Sequence, residues 1–201
     1  MTETAPVLLS RDDLAAGLRE LVRRLQNAAE PVRIRIIGGA ALALSYFADR
    51  RGTVDIDAIL VPPETVLAAA RDVAVLTRWP DNWLNDSAKI FLPTGFGLRA
   101  AEWVTVFDDG KVIIDVATPE TLLAMKLHSV NRRGRREQRD LAVLLPLCNI
   151  RTVDEAESHY GDYYPGDVFT TRAFAVIEAA LAEYRIVQLP RFPGLDADRP
   201  V

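Results

Sequence analysis

Two aspartates, Asp55 and Asp57, stand two residues apart in the run Thr53-Val54-Asp55-Ile56-Asp57-Ala58-Ile59-Leu60. A strand turns successive side chains to opposite faces, so this spacing predicts both carboxylates on one face and Val54, Ile56, Ala58 and Leu60 on the other. Their Cα atoms would lie ~6.6 Å apart, a separation at which two carboxylates can share one hard cation such as Mg²⁺. A half-exposed strand with an incidentally acidic outer face has the same spacing. The preceding residues bear on that choice. Gly38-Gly39 ends the run Val32-Arg33-Ile34-Arg35-Ile36-Ile37 and opens a helical stretch. Free N–H groups and the dipole at a helix start favour a phosphate, and glycine lets it approach the backbone. A phosphate cradle on one strand end and a metal pair on the next are parts that phosphoryl or nucleotidyl transfer requires.

Two further charges break the apolar pattern of helices. Lys126 falls on the stripe formed by Pro119, Leu122, Leu123, Leu127 and Val130, and Asp140 on that of Leu141, Leu144, Leu145 and Cys148. They are expected either to pair with each other across a helical hairpin or to reach the face that carries Asp55 and Asp57, Lys126 then neutralising phosphate oxygens. Between them Arg132, Arg133, Arg135, Arg136 and Arg139 crowd into eight residues. That cluster reads as a solvated loop, a grip on an RNA backbone, or a dock for an acidic protein. Asp115, opposite Val112, Ile114 and Val116, reads as a third metal ligand or a plain surface acid.

The elements that would position these residues follow from the patterning. Ser10 caps an amphipathic helix carrying Leu14, Leu18, Leu21, Val22 and Leu25. Strands are expected over 32–37 and 53–61, with helices over 40–47 and 64–75. Residues 79–97, with two prolines and two glycines, read as a short helix plus a loop, a candidate lid. A hairpin is expected over 102–116 about Asp108-Asp109-Gly110, then helices over 118–130 and 135–147 and two more between 153 and 184.

The fold class is therefore α/β in the α+β sense: a small mixed sheet flanked by helices, with a helical C-terminal half. Residues 1–30 form an N-terminal helix on the core, 31–150 the core, 151–190 further helices of the same domain, and 191–201 a loose tail. A length of 201 residues suits one such domain. The composition, 49% hydrophobic and 26% charged, excludes a disordered chain. No membrane span or leader pattern is read, and a cytoplasmic setting is expected. A single cysteine, Cys148, excludes an intrachain disulfide and reads as core.

The segments Ile36-Ile37-Gly38-Gly39-Ala40-Ala41-Leu42, Arg51-Gly52-Thr53-Val54-Asp55-Ile56-Asp57, Pro119-Glu120-Thr121-Leu122-Leu123-Ala124-Met125-Lys126-Leu127 and Arg139-Asp140-Leu141 together resemble the minimal nucleotidyltransferases of the AbiEii and MenT-like toxin group. The resemblance spans roughly residues 34–145. It implies a DNA polymerase β-like nucleotidyltransferase fold, with Gly38 and Gly39 on nucleotide phosphates, Thr53 and Asp55 at the catalytic centre, and Asp55 and Asp57 on Mg²⁺. Lys126 and Asp140 would complete the catalytic set. Asn85 and Asp86, in Trp83-Leu84-Asn85-Asp86, would contact the nucleotide. Members studied as toxins modify targets such as tRNA 3′ ends and are opposed by an antitoxin. The resemblance thus implies an NTP substrate, a tRNA acceptor near Arg132, Arg133, Arg135 and Arg136, and a cognate antitoxin partner. The spacer from Gly39 to Asp55 is longer than in typical members of the wider superfamily, and no firm third carboxylate is present. A catalytically silent nucleotide- or RNA-binding module is the alternative expectation.

Overall fold

The computed structural model describes residues 7–93 and 95–195, with the side chain of Arg133 excepted. Part of the N-terminal stretch, Thr94 in the expected lid, and the expected tail beyond Leu195 lie outside the described residues. The chain divides into two compact units, one made of Met1–Lys89, Val104–Val116 and Leu189–Val201, the other of Ile90–Trp103 and Ala117–Gln188.

The described residues form a mixed α/β fold with a five-stranded mixed sheet and seven α-helices. The strands are β1 (Val32–Ile36), β2 (Ile56–Val61), β3 (Leu84–Asn85), β4 (Trp103–Asp108) and β5 (Val112–Ala117), in the order β3-β2-β1-β5-β4. β1 runs antiparallel to β2 and parallel to β5, and β2 runs parallel to β3. Alternation decides the faces. Val32, Ile34 and Ile36 of β1, Ile56, Ala58 and Leu60 of β2, and Val112, Ile114 and Val116 of β5 are at most 5% exposed. The opposite face carries Arg33, Arg35, Asp57, Ile59, Ile113 and Asp115, because the register sets Arg35 beside both Ile59 and Asp115.

In the first unit, α1 (Arg11–Leu25) packs on α2 (Gly38–Ser45) and α3 (Pro63–Thr77), and α2 and α3 pack on β2. A capping box between Ser10 and Asp13 starts α1, and its Leu14, Leu18, Leu21 and Leu25 are fully buried, each worth about 2 kcal/mol of burial. Gly17 makes room for tryptophan: a Cβ there would meet Trp79 at 2.6 Å and Trp83 at 3.0 Å. Residues 191–195, expected to be loose, are tied to α1, since Arg19 Nε donates to the Gly194 carbonyl at 2.8 Å and Leu195 is 2% exposed.

The second unit is helical: α4 (Pro119–Arg133), a 3-10 turn (Gly134–Glu137), α5 (Gln138–Leu147), α6 (Val153–Tyr163) and α7 (Thr171–Glu183). Thr118, Thr152 and Thr170 cap α4, α6 and α7 through their hydroxyls. α4 packs on α5, α6 and α7.

The expected lid over 79–97 is corrected. Trp83 is fully buried with its indole N–H donating to the Ala70 carbonyl at 2.9 Å, and Leu84 and Asn85 pair with Ile56 and Asp57 as β3. A buried indole needs its N–H satisfied, and that anchor plus strand pairing removes the freedom a lid needs. A 3-10 turn, Ser87–Phe91, follows. Gly97 lies so close to the Asp162 carbonyl that a Cβ would come within 2.2 Å of it.

Candidate active site

Asp55 and Asp57 lie where β2 begins. Strand pairing starts at Ile56, whose N–H donates to the Trp83 carbonyl at 2.6 Å, and Val54 sits in a bend and is 43% exposed. Val54 therefore leaves the apolar face expected for it, because the chain turns before the strand is laid down, while Ile56, Ala58 and Leu60 keep it. Thr53 is one step earlier: its backbone exchanges two hydrogen bonds with Leu9, at 2.7 and 3.0 Å, and Gly52 permits this, a Cβ there falling 2.6 Å from the Leu9 carbonyl oxygen.

Both carboxylates are half-buried. Asn85 orients Asp55: its side-chain amide donates to Asp55 Oδ2 at 3.0 Å, and its carbonyl oxygen accepts from the Ser87 N–H at 2.9 Å. Asp57 faces the glycine turn. Gly38 has φ +65, and a Cβ on it would stand 3.3 Å from Asp57 Oδ2. Glycine is suited to that left-handed backbone and leaves the space open. Ile37, the residue before α2, makes no side-chain cap, and the positive end of α2 lies beside Asp57. The guanidinium of Arg50 lies over Gly39, where a Cβ would be 2.8–3.1 Å from its atoms. Asp57 thus lies beside a helix start, and an arginine covers the next glycine of that start. Asp86 bonds Lys89 at 2.5 Å across the turn that follows β3.

Asp115 is neither a surface acid nor an open ligand. It is 1% exposed, accepts from the Thr105 hydroxyl at 2.8 Å through Oδ1, and holds Arg33 at 3.2 Å and Arg35 at 3.3 Å through Oδ2. Among the described residues no group of three or more histidine, cysteine or acidic side chains is arranged to hold a metal ion.

Lys126 and Asp140 are brought together, with Nζ 2.8 Å from Asp140 Oδ2, and Glu137 joins them at 2.6 Å. Asp140 is 5% and Glu137 3% exposed. Burial opposes the charge on Lys126, yet the fields and hydrogen bonds of Asp140 and Glu137 outweigh it and hold the ammonium above its ordinary value of 10.5. The hairpin that makes this group turns at Gly134, φ +59, which also admits the Arg172 guanidinium against the backbone.

The arginines are spread. Arg132 covers the Phe91 ring at 5.4 Å, and Arg135 and Arg136 are exposed on the 3-10 turn. Arg135 and Gln138 line a cavity of about 230 Å³ with Arg172, and one of about 420 Å³ with Arg139, Glu183 and Arg185. The Arg133 side chain lies outside the described residues. Cys148 is partly exposed, and burial pushes its thiol well up, so it is a poor nucleophile. A cavity of about 510 Å³ next to Pro146, Tyr184 and Ile186 contains none of the candidate residues.

The first unit therefore gathers Gly38, Asp55, Asp57 and Asn85, with Gly39 under Arg50, and the second gathers Lys126, Glu137 and Asp140. Sequence reasoning missed Glu137, although it occupies the same stripe as Asp140. It also missed Arg50, which no local pattern announces, and Arg33 and Arg35, whose alternation in β1 opposite an acid in β5 was the available signal. No protein-family model matches the chain, and neither the curated proteins nor the solved structures compared with it include a match.

Proposed function

We propose that the chain is a Mg²⁺-dependent nucleotidyltransferase of DNA polymerase β-like fold that moves a nucleoside monophosphate from an NTP to an acceptor hydroxyl. The observation that carries this reading is the half-buried Asp55 and Asp57 at the start of β2, with Asp57 lying against Gly38 at the start of α2, where a Cβ would stand 3.3 Å from its Oδ2. The donor set fits the metal: two carboxylates offer hard oxygens, and Mg²⁺ binds through one or two such groups plus water and substrate phosphates. Bound at Asp55 and Asp57, the ion would supply positive charge to the phosphate oxygens and the attacking hydroxyl. Asn85 holds Asp55 in one orientation. The N–H groups at Gly38 and Gly39 face incoming phosphate, helped by the α2 dipole. Transfer forms the bond from acceptor oxygen to the α-phosphorus and breaks the bond to the β-phosphate, so pyrophosphate leaves.

The resemblance gives Lys126 a charge-stabilising role, with Asp140 completing the catalytic set. The exposed Arg135 and Arg136 favour an RNA acceptor, a tRNA 3′ end being the case the resemblance suggests, with a toxin role opposed by an antitoxin. One observation favours the silent binding module instead: two carboxylates already balance the Lys126 charge. Pyrophosphate release from each NTP, measured with Mg²⁺ and total tRNA, separates the two. Release that Asp55→Asn abolishes supports transfer, whereas NTP binding with no release from the folded protein supports the silent module.

A further inference from the structure

The turn between α4 and α5 and the first turn of α7 bring two arginines to one cavity, to which the transfer reading assigns nothing. Arg135, on the 3-10 turn, and Arg172, the second residue of α7, line a cavity of about 230 Å³ with Gln138, Ala175, Val176 and Ala179. All six residues belong to the second unit. Gly134 sets the approach. A Cβ on it would stand 2.7–2.9 Å from atoms of the Arg172 guanidinium, so glycine lets that group lie against the residue that precedes Arg135.

The charges in this cavity are of one sign. Among the described residues no acid lines it, and neither Arg135 nor Arg172 is held in an ion pair. Glu183 lines the adjoining cavity of about 420 Å³, but its carboxylate is engaged: Gln138 Nε2 donates to Oε1 at 2.6 Å, and Arg185 stands 3.7 Å from Oε2. Arg172 also stands in the first turn of α7, where no acid offsets it and the helix dipole disfavours a cation. The stability of α7 therefore does not account for its place. Two arginines on one small cavity repel each other until an anion sits between them, and a phosphate group presents its oxygens to two planar forks. Both side chains are exposed and can be reached from solvent. The apolar wall of Ala175, Val176 and Ala179 strengthens such a contact by lowering the local dielectric. The volume is several times a water's share of about 30 Å³, which suits one phosphate group.

We propose that Arg135 and Arg172 form a phosphate-binding site within the second unit. The group bound is a phosphate, supplied either by a nucleic-acid backbone or as a free ion. The site needs neither NTP nor Mg²⁺, so it is independent of nucleotidyl transfer. The test is calorimetric titration of the folded full chain with inorganic phosphate in the absence of metal, paired with fluorescence anisotropy of a short labelled single-stranded RNA. Arg135→Gln and Arg172→Gln are each expected to weaken phosphate binding by about tenfold or more, as loss of one charge-assisted contact does. Arg172→Lys is expected to recover only part of the loss, since an ammonium lacks the planar fork. Arg151→Gln, which removes an exposed arginine from a different cavity, is expected to leave binding within about twofold of the wild type. RNA binding that weakens in step, with the slope of log K against log salt reduced by about 0.7 for each glutamine variant, supports the proposal and assigns the phosphate to a nucleic-acid backbone. RNA binding unchanged in both variants, with phosphate binding weakened, supports it and assigns a free phosphate ion. No phosphate binding by the wild type, binding within about twofold of it by both glutamine variants, or an equal loss in Arg151→Gln overturns the proposal. Absence of pyrophosphate release alongside intact phosphate binding would remove transfer and leave the site standing.

Discussion

Replacing Lys126 by methionine removes a cation held between two buried carboxylates. Its Nζ lies 2.6 Å from Glu137 and 2.8 Å from Asp140, and the three side chains are 13%, 5% and 7% exposed. At an effective dielectric constant near 20, each contact is worth about 6 kcal/mol of gross attraction. Desolvating three charges takes several kcal/mol per ion from that sum, so the group as a whole contributes little net stability. Removing one partner is different, because the desolvation stays and the attraction goes. Lys126→Met should therefore lower unfolding free energy by about 3–5 kcal/mol at pH 7.5. The loss should shrink at pH 5, where the stranded carboxylates can take up protons. Lys126 itself does not titrate in that interval: its folded value is raised, so its contribution is complete below about 10.5 and fades only as pH rises through the folded value. Adding Glu137→Gln to the variant should restore part of the stability at pH 7.5. Urea titrations of the three proteins at both pH values read this directly. A loss below 1 kcal/mol, or one that is equal at pH 5 and 7.5, would refute the reasoning. The same experiment sets the condition under which Lys126 variants can be assayed for activity.

Three further outcomes are expected. Gly38→Ala forces a left-handed backbone on alanine and puts its methyl 3.3 Å from Asp57 Oδ2, so thermal melting should show about 1–2 kcal/mol lost and NTP titration a weaker affinity; unchanged values for both would contradict the cradle. Asn85→Ala frees the Asp55 carboxylate and should lower kcat for pyrophosphate release about tenfold, with roughly 1 kcal/mol of stability lost; full activity would show that Asp55 needs no orienting partner. Burial lowers His128, with Arg132 adding to it against Asp167, and lowers His159, with Arg99 adding to it against the Glu120 carbonyl. The unfolded chain thus binds more protons as pH falls below 6.5, and stability should drop from there towards pH 5. Urea titration across that window should give a shallower drop for His159→Gln, and an identical drop would disprove it.

Period and punctuation made most elements legible. The alternation in Val32–Ile36 and Ile56–Val61, the Ser10 cap and the glycine turns lie where the residues place them. What escaped was set by tertiary contact. β3 is two residues long, too short to show a period, and exists because Trp83 is anchored beneath it. The bend at Val54 comes from the pairing of Thr53 with Leu9, far away in sequence. In the candidate site, charge on an apolar stripe made Lys126 and Asp140 conspicuous, and their pairing is one of the two outcomes that the stripe allowed. Asp115 stayed ambiguous because its fate depends on Arg33 and Arg35, about 80 residues earlier. The spacing of two aspartates announces a carboxylate pair, but the orienting amide of Asn85 and the guanidinium over Gly39 emerge only when strands and helices are assembled.

Nucleotidyl transfer is tested most directly by labelling. The protein would be incubated with Mg²⁺, total tRNA and each NTP carrying ³²P at either the α or the γ position, beside Asp55→Asn and Asp57→Asn. The account predicts that α-label passes to RNA or protein, that γ-label does not, and that neither variant transfers label. Transfer of γ-label alone, α-label transfer that survives both substitutions, or no transfer from a folded protein with any nucleotide would contradict it.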